Sequence, residues 1–236
     1  VAKAFSRSKI GHDDPMNIRK AGAELLGSAI LVMTVIGSGK MAQNLSTDTA
    51  VQLLLNSLAT AAILYLLITL LGDISGAHFN PLVTLIVAYK REISLGQTLQ
   101  FIFAQFLGAL TGAGLANILF ELPVFTASTN VRSGNHLLLS EIIATAGLIF
   151  TIFIAIDQKR EKKIPALVAC WIGGAYFFTS STSFANPAVT FARGWSDTFA
   201  GIAPESIAPF IAAQLIGAVL GLLLSQSLSV KSKGKK

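Results

Sequence analysis

Long apolar runs separated by short polar stretches dominate this chain. Six runs are long and apolar enough to cross a bilayer: roughly 16–37, 49–71, 95–120, 136–156, 164–179 and 206–229. A helix needs about 20 residues to span the hydrocarbon core, and the fifth run is short for that. Asp13, Asp14 and Pro15 form an entry to the first helix, a capping carboxylate followed by proline in the first turn. Two further apolar pieces, 80–89 and 186–195, have about ten residues each and so cover roughly 15 Å, half a bilayer. The sixteen or so residues before Asn80 and the stretch 180–185 mix Gly, Ser, Asp and His in an order that does not suit a helix. Irregular backbone at membrane depth survives only where it is buried in protein or lines a wet cavity. The pattern therefore predicts two re-entrant loops, each followed by a half-helix.

The pattern repeats. Glu24 in AELLG, Asn80 in NPLVT and Gln105 in AQFLGALTGA are followed by Glu141 in SEIIATAGL, Asn186 in NPAVT and Gln214 in AQLIGAVLG. The intervals are 56 and 25 residues in the first half, 45 and 28 in the second. Each half holds three spans and one half-helix, and because three is odd the halves enter the membrane from opposite sides. This is an inverted repeat, whose half-helices meet near the midplane. The expected organisation is an N-terminal tail (1–17), one membrane domain (18–228, repeats about 18–120 and 136–228) and a basic tail (229–236).

Composition agrees: 53% of residues are hydrophobic and 13% charged, against about 25% charged in soluble domains, and the mean hydropathy is +0.65. Residues 1–18 show no apolar signal-peptide core, so the first span is expected to be retained. The net charge of +6 does not point to nucleic acid, because fifteen of the 18 basic residues fall in four segments: Lys3 to Lys20, Lys90–Arg91, Lys159 to Lys163, and Lys231 to Lys236. If these share one side they obey the positive-inside rule, with both termini cytoplasmic. The basic C-terminal tail is expected near anionic headgroups. One cysteine, Cys170, excludes an intrachain disulfide framework. No nucleophile–base set, metal cluster or phosphate loop stands out, so neither an enzyme nor a cofactor is expected.

The two Asn-Pro steps carry the chemistry. Proline suits the first helical position, and the asparagine before it caps the helix through its side-chain oxygen. That leaves an NH2 with two donors facing outward. At Asn80 and Asn186 a passing water must offer its oxygen to these donors, which breaks a proton-relaying chain. Each half-helix adds roughly +0.5 elementary charge at its N-terminus, and a positive midplane repels cations. The arrangement suits neutral solutes.

The paired boxes, SGAHFNP at 75–81, the AQxxGA stretches and the two glutamates resemble the aquaporin (major intrinsic protein) family over about 18–228. The resemblance implies an all-α membrane protein, with six transmembrane helices plus two re-entrant half-helices in a right-handed 3+3 bundle. It also implies one pore per subunit and a homotetramer. Asn80, Pro81, Leu82, Asn186, Pro187 and Ala188 would form the pore motifs. Glu24 and Glu141 would hold backbone groups of the loops, as expected of buried carboxylates, with a proton relay as the rival role. His78 would order its loop. Leu82 departs from the family's alanine and would shift packing at the half-helix contact or narrow the pore.

A larger departure is Val189, where the family usually carries arginine. Counting without gaps from the boxes places the filter at Thr60, Gly174, Ser183 and Val189. That ring has no aromatic, histidine or arginine, and reads as wide and weakly polar. Arg193, one helical turn further, is either a displaced pore arginine in the outer vestibule or a structural partner of Asp197. Tyr176, Trp171 and Trp195 read as packing or interfacial aromatics, and Cys170 as packed or one turn from the pore. The filter and the run TSSTSFANPAVTFAR resemble the bacterial aquaglyceroporin branch associated with arsenic-resistance genes. The expected permeants are glycerol-like polyols, water and uncharged arsenite-type hydroxides, in a bacterial inner membrane. A water-selective channel is the first alternative. A secondary transporter is the second, although such proteins usually need ionisable groups at the midplane.

Overall fold

The computed structural model describes residues 18–229. The helices are α1 (Ile18–Leu45), α2 (Thr49–Ser75), α3 (Pro81–Tyr89), α4 (Leu95–Leu119), α5 (Asn135–Asp157), α6 (Ile164–Phe178), α7 (Pro187–Arg193) and α8 (Pro204–Leu228), with a 3-10 turn (Glu161–Lys163) before α6. α1, α2, α4, α5 and α8 are long and apolar enough to cross a membrane. α6 has 15 residues. The expected helix entry at Asp13 to Pro15, the N-terminal tail and the basic tail beyond Ser229 lie outside the described residues.

α2 runs on to Ser75, so the irregular stretch before Asn80 is four residues rather than sixteen. Gly76 ends the helix because its φ of 96° is a left-handed conformation that glycine adopts at low cost. The half-helices α3 and α7 are 9 and 7 residues long. Each starts at the proline and is capped by the asparagine in extended conformation.

The two halves pack alike. α1 lies against α4 and α5 against α8, the two most extensive helix contacts. Small residues let these backbones approach, as in other membrane helix pairs. A Cβ at Gly108 or Gly112 would run into the carbonyls of Leu25 or Ala29, and one at Gly217 or Gly221 into those of Ile142 or Ala146. The register follows the repeat: Gly108 lies three residues after Gln105, and Gly217 three after Gln214.

Candidate pore and its outer constriction

Each re-entrant loop is held by a buried carboxylate. Glu24 Oε1 accepts from Ser75 Oγ at 2.6 Å and His78 N at 2.9 Å. Its Oε2 accepts from Phe79 N at 2.7 Å and Gln105 Nε2 at 2.8 Å. Glu141 mirrors this, taking Phe184 N at 2.9 Å, Ala185 N at 3.0 Å and Gln214 Nε2 at 2.6 Å. Both glutamates are fully buried. The loop backbones can turn two successive N–H groups to one carboxylate because several residues enter the left-handed region. Ala77 and Phe79 have φ of 50° and 47°, and Thr182, Ser183 and Ala185 have 64°, 55° and 49°. Non-glycine residues there cost about 1–3 kcal/mol each and persist only when their surroundings over-determine them. The glutamate bonds do so. Gln105 and Gln214 extend each unit to Thr84 and Thr190, both at 2.8 Å.

The asparagines bind across the repeat. Asn80 Oδ1 accepts from Leu82 N at 2.9 Å, and its Nδ2 donates to the carbonyl of Ala185 at 2.8 Å. Asn186 Oδ1 accepts from Ala188 N and Val189 N, and its Nδ2 donates to the carbonyl of Phe79 at 2.7 Å. This corrects the expectation of two outward donors per asparagine. One N–H is spent on the opposite loop, and one remains. Pro81, Leu82, Pro187 and Ala188 are buried, with Leu82 and Ala188 in one apolar cluster.

A cavity of about 80 Å³ runs past both asparagines. About 10–15 Å³ suffices for one water, so there is room for several. Leu64, Ile68, Ile152 and Val168 contribute a long apolar stretch of wall. Gly76 to Asn80 and Ser183 to Asn186 line it as well. Thr60, Tyr176, Ser183, Val189 and Arg193 also border it.

Three of the four expected filter residues, Thr60, Ser183 and Val189, thus share the cavity, and Gly174 does not. Gly174 is exposed on the outside of α6. The lining residues of α6 are Ile164, Val168, Ile172 and Tyr176, a four-residue stripe. Gly174 is two positions from both Ile172 and Tyr176, about 200° around the helix. The ring is therefore not free of aromatics. Tyr176 is buried, its hydroxyl 3.0 Å from Thr60 Oγ1. Cys170 is exposed too, and Trp171 packs over Gly147 and donates to the Ala144 carbonyl at 2.9 Å.

Arg193 does not pair with Asp197, whose Oδ1 accepts instead from Thr129 N and Oγ1, both at 2.9 Å. It is buried, borders the cavity, donates from Nε to the Ala200 carbonyl, and lies 3.4 Å over the Phe184 ring centroid. Ser183 Oγ is buried beside it with no protein partner. Sequence reasoning missed Arg132, whose guanidinium also lies over Phe184, at 5.0 Å. A signal existed: the basic residues outside the four basic segments are Lys40, Arg132 and Arg193, and two of these three meet here. On the first half His78 occupies the place of Phe184, its Nδ1 3.0 Å from Thr84 Oγ1.

Residues 12–185 match the major intrinsic protein family. The chain is 45% identical over 210 residues to the aquaglyceroporin AqpS of Rhizobium meliloti (strain 1021), covering 89% of this chain and 90% of the relative. It is 31% identical over 231 residues to aquaporin-4 of Notomys alexis, covering 91% and 69%. The X-ray structure of the aquaglyceroporin from Plasmodium falciparum superposes with a TM-score of 0.65 at 20% identity, over 89% of this chain and 96% of that one, a likeness of fold. Two Asn-Pro half-helices locked to each other's loops, in a chain of this kinship, leave one assignment: the protein belongs to the major intrinsic protein family.

Proposed function

We propose that this chain is a passive channel for glycerol-like polyols, water and uncharged trihydroxy species of the arsenite type, closed to ions and protons. The observation behind this reading is the reciprocal asparagine pair. Each amide oxygen caps its own half-helix, and one N–H holds the opposite loop. The remaining N–H of each faces the passage as a donor. A water there turns its oxygen to both, and a proton-relaying chain is interrupted. The half-helix dipoles add positive potential at the same level.

Solute choice falls to the ring of Thr60, Tyr176, Ser183, Val189 and Arg193. A polyol offers a C–H spine and a row of hydroxyls. Val189 and the Tyr176 ring suit the spine, and the hydroxyls meet Thr60, Ser183 and the Arg193 fork. The kinship with a protein named an aquaglyceroporin supports this reading. Water selectivity is the second reading, favoured by one observation: Tyr176 and Arg193 border the cavity, adding a phenol and a guanidinium to the lining that the sequence suggests. The protein acts as a homotetramer in a bacterial inner membrane, both termini cytoplasmic, with its exposed apolar faces against lipid or neighbouring copies.

Stopped-flow light scattering of proteoliposomes tests the proposal. Wild type should re-swell quickly in a glycerol gradient and not in sucrose, and Val189→Arg should slow the re-swelling. Rapid shrinkage without re-swelling would establish water selectivity instead. Flux that saturates with concentration would point to a transporter.

A further inference from the structure

We infer that Arg132, in the connection between the two repeats, is a positioning residue for the outer constriction and sets solute selectivity through Arg193. The inference rests on Arg193 acting in the filter as proposed above.

Three successive carbonyls of the segment before α8 are taken by two arginines. Arg132 donates from Nη2 to Phe199 O at 3.3 Å and from Nε to Gly201 O at 2.9 Å. Between them, Ala200 O accepts from Arg193 Nε. The carbonyl that fixes Arg193 is thus clamped on both flanks by one guanidinium, whose planar fork suits a two-point hold. The same guanidinium and that of Arg193 both lie over Phe184, at 5.0 Å and 3.4 Å. Phe184 is itself pinned by Glu141 and by an edge contact with Phe210 at 5.3 Å.

Arg132 is in turn fixed by its connection. Thr126 N donates to Trp195 O at 3.1 Å, Ser128 N to Gly194 O at 2.9 Å, and Ala203 N to Asn130 O at 2.7 Å. Arg132 N donates to Ser206 Oγ at 3.0 Å. The connection therefore lies alongside 194–206 as a strap, and Arg132 is the side chain by which it touches the constriction. On the other side Arg132 borders a second pocket with Gln43, Asn130, Asp197 and Thr198 among its lining. Two cations over one ring repel each other, and the direct contacts that hold Arg193 against this are the Ala200 carbonyl and the Phe184 face. Loosening the 199–201 carbonyls frees it to leave the constriction.

The test is a double-mutant cycle on permeability ratios. Erythritol and glycerol uptake would be measured in proteoliposomes of known channel content for wild type, Arg132→Gln, Arg193→Ala and the double variant. Arg132→Gln should raise the erythritol-to-glycerol ratio by about twofold or more, the low end of coupling within one bonded unit. The double variant should match Arg193→Ala alone. A ratio unchanged in Arg132→Gln while Arg193→Ala shifts it would overturn the inference and leave the filter reading standing. An Arg132→Gln effect that persists without Arg193 would overturn it as well, since Arg132 would then act by itself. No shift in Arg193→Ala would remove the filter reading and the inference together. Arg132→Lys, which keeps charge and loses the fork, guards against a variant that fails to assemble. It should shift the ratio in the same direction by less, and a wild-type ratio in it would refute the clamp.

Discussion

The two re-entrant loops are built on one plan and differ at one level. Both are tied by a glutamate, a glutamine and a threonine, and both cap a half-helix with asparagine. Two residues before the asparagine they part. His78 turns its ring to Thr84 and to the edge of Phe101. Phe184 keeps the equivalent edge contact, with Phe210, and also accepts two guanidiniums. Seven residues beyond each asparagine the sequence has Val87 in one half and Arg193 in the other. The frame is therefore duplicated, whereas the buried guanidinium that borders the cavity belongs to the second half alone.

Breaking the frame should have the largest effect, and slightly unequal effects on the two sides. Glu24→Ala strands four donors, those of Ser75, His78, Phe79 and Gln105. Glu141→Ala strands three, those of Phe184, Ala185 and Gln214. Each buried unpaired donor costs about 1–3 kcal/mol. Both variants should lose most folded protein, with Glu24→Ala the worse by roughly one donor's worth. Thermal unfolding in detergent measures this, and a milder Glu24→Ala would show that the extra bond contributes nothing.

Next come the helix contacts, where the halves should behave equally. Gly112→Ala and Gly221→Ala push a methyl into the carbonyls of Ala29 and Ala146, and overpacking of this kind costs about 1–3 kcal/mol. Gly174→Ala meets only the edge of Phe178, at 3.8 Å, and should leave the melting temperature where it is. A large loss at Gly174 would mean that this face is packed in the working assembly.

Much of this frame was legible in the sequence because it is carried by residue types with narrow uses. Asparagine before proline at the head of an apolar run marks a capped helix start, and a glutamate inside a span needs buried donors. The register of Glu24, Asn80 and Gln105 against Glu141, Asn186 and Gln214 shows which donors are shared. The lining of the cavity was only partly legible. Counting back from Asn186 to Gly174 without gaps assumes a fixed length for the segment between α6 and the second box, in which the chain leaves α6 after Phe178 and crosses eight non-helical residues before α7. The four-residue stripe ending at Tyr176 was the better guide. Arg132 reaches Phe184 from 52 positions away in sequence, and nothing local marks it except that it stands outside the basic segments. The second N–H of each asparagine was hidden for the same reason, since its partner lies 105 or 107 residues away.

Phe184→Leu should sharpen the contrast between the loops. It removes the face beneath Arg193 and Arg132 while keeping an apolar side chain. Cation–π contacts contribute about 0.5–2 kcal/mol each, so loss of the Arg193 contact alone should raise the erythritol-to-glycerol permeability ratio about two- to thirtyfold. A ratio equal to that of the wild type would show that the Ala200 carbonyl alone fixes Arg193.

The smallest effect should come from giving the first loop the residue of the second. His78→Phe removes one hydrogen bond, worth about 0.5–1.5 kcal/mol. Thr84 keeps two other partners, the Gln105 amide at 2.8 Å and the Asn80 carbonyl at 3.2 Å. The new ring would still meet the edge of Phe101, but Val87 offers no guanidinium to lie over it. His78→Phe should thus lower the melting temperature slightly and shift the permeability ratio less than Phe184→Leu does. An equal shift would mean that selectivity is shared between the loops, and that the asymmetry of the arginines is not its source.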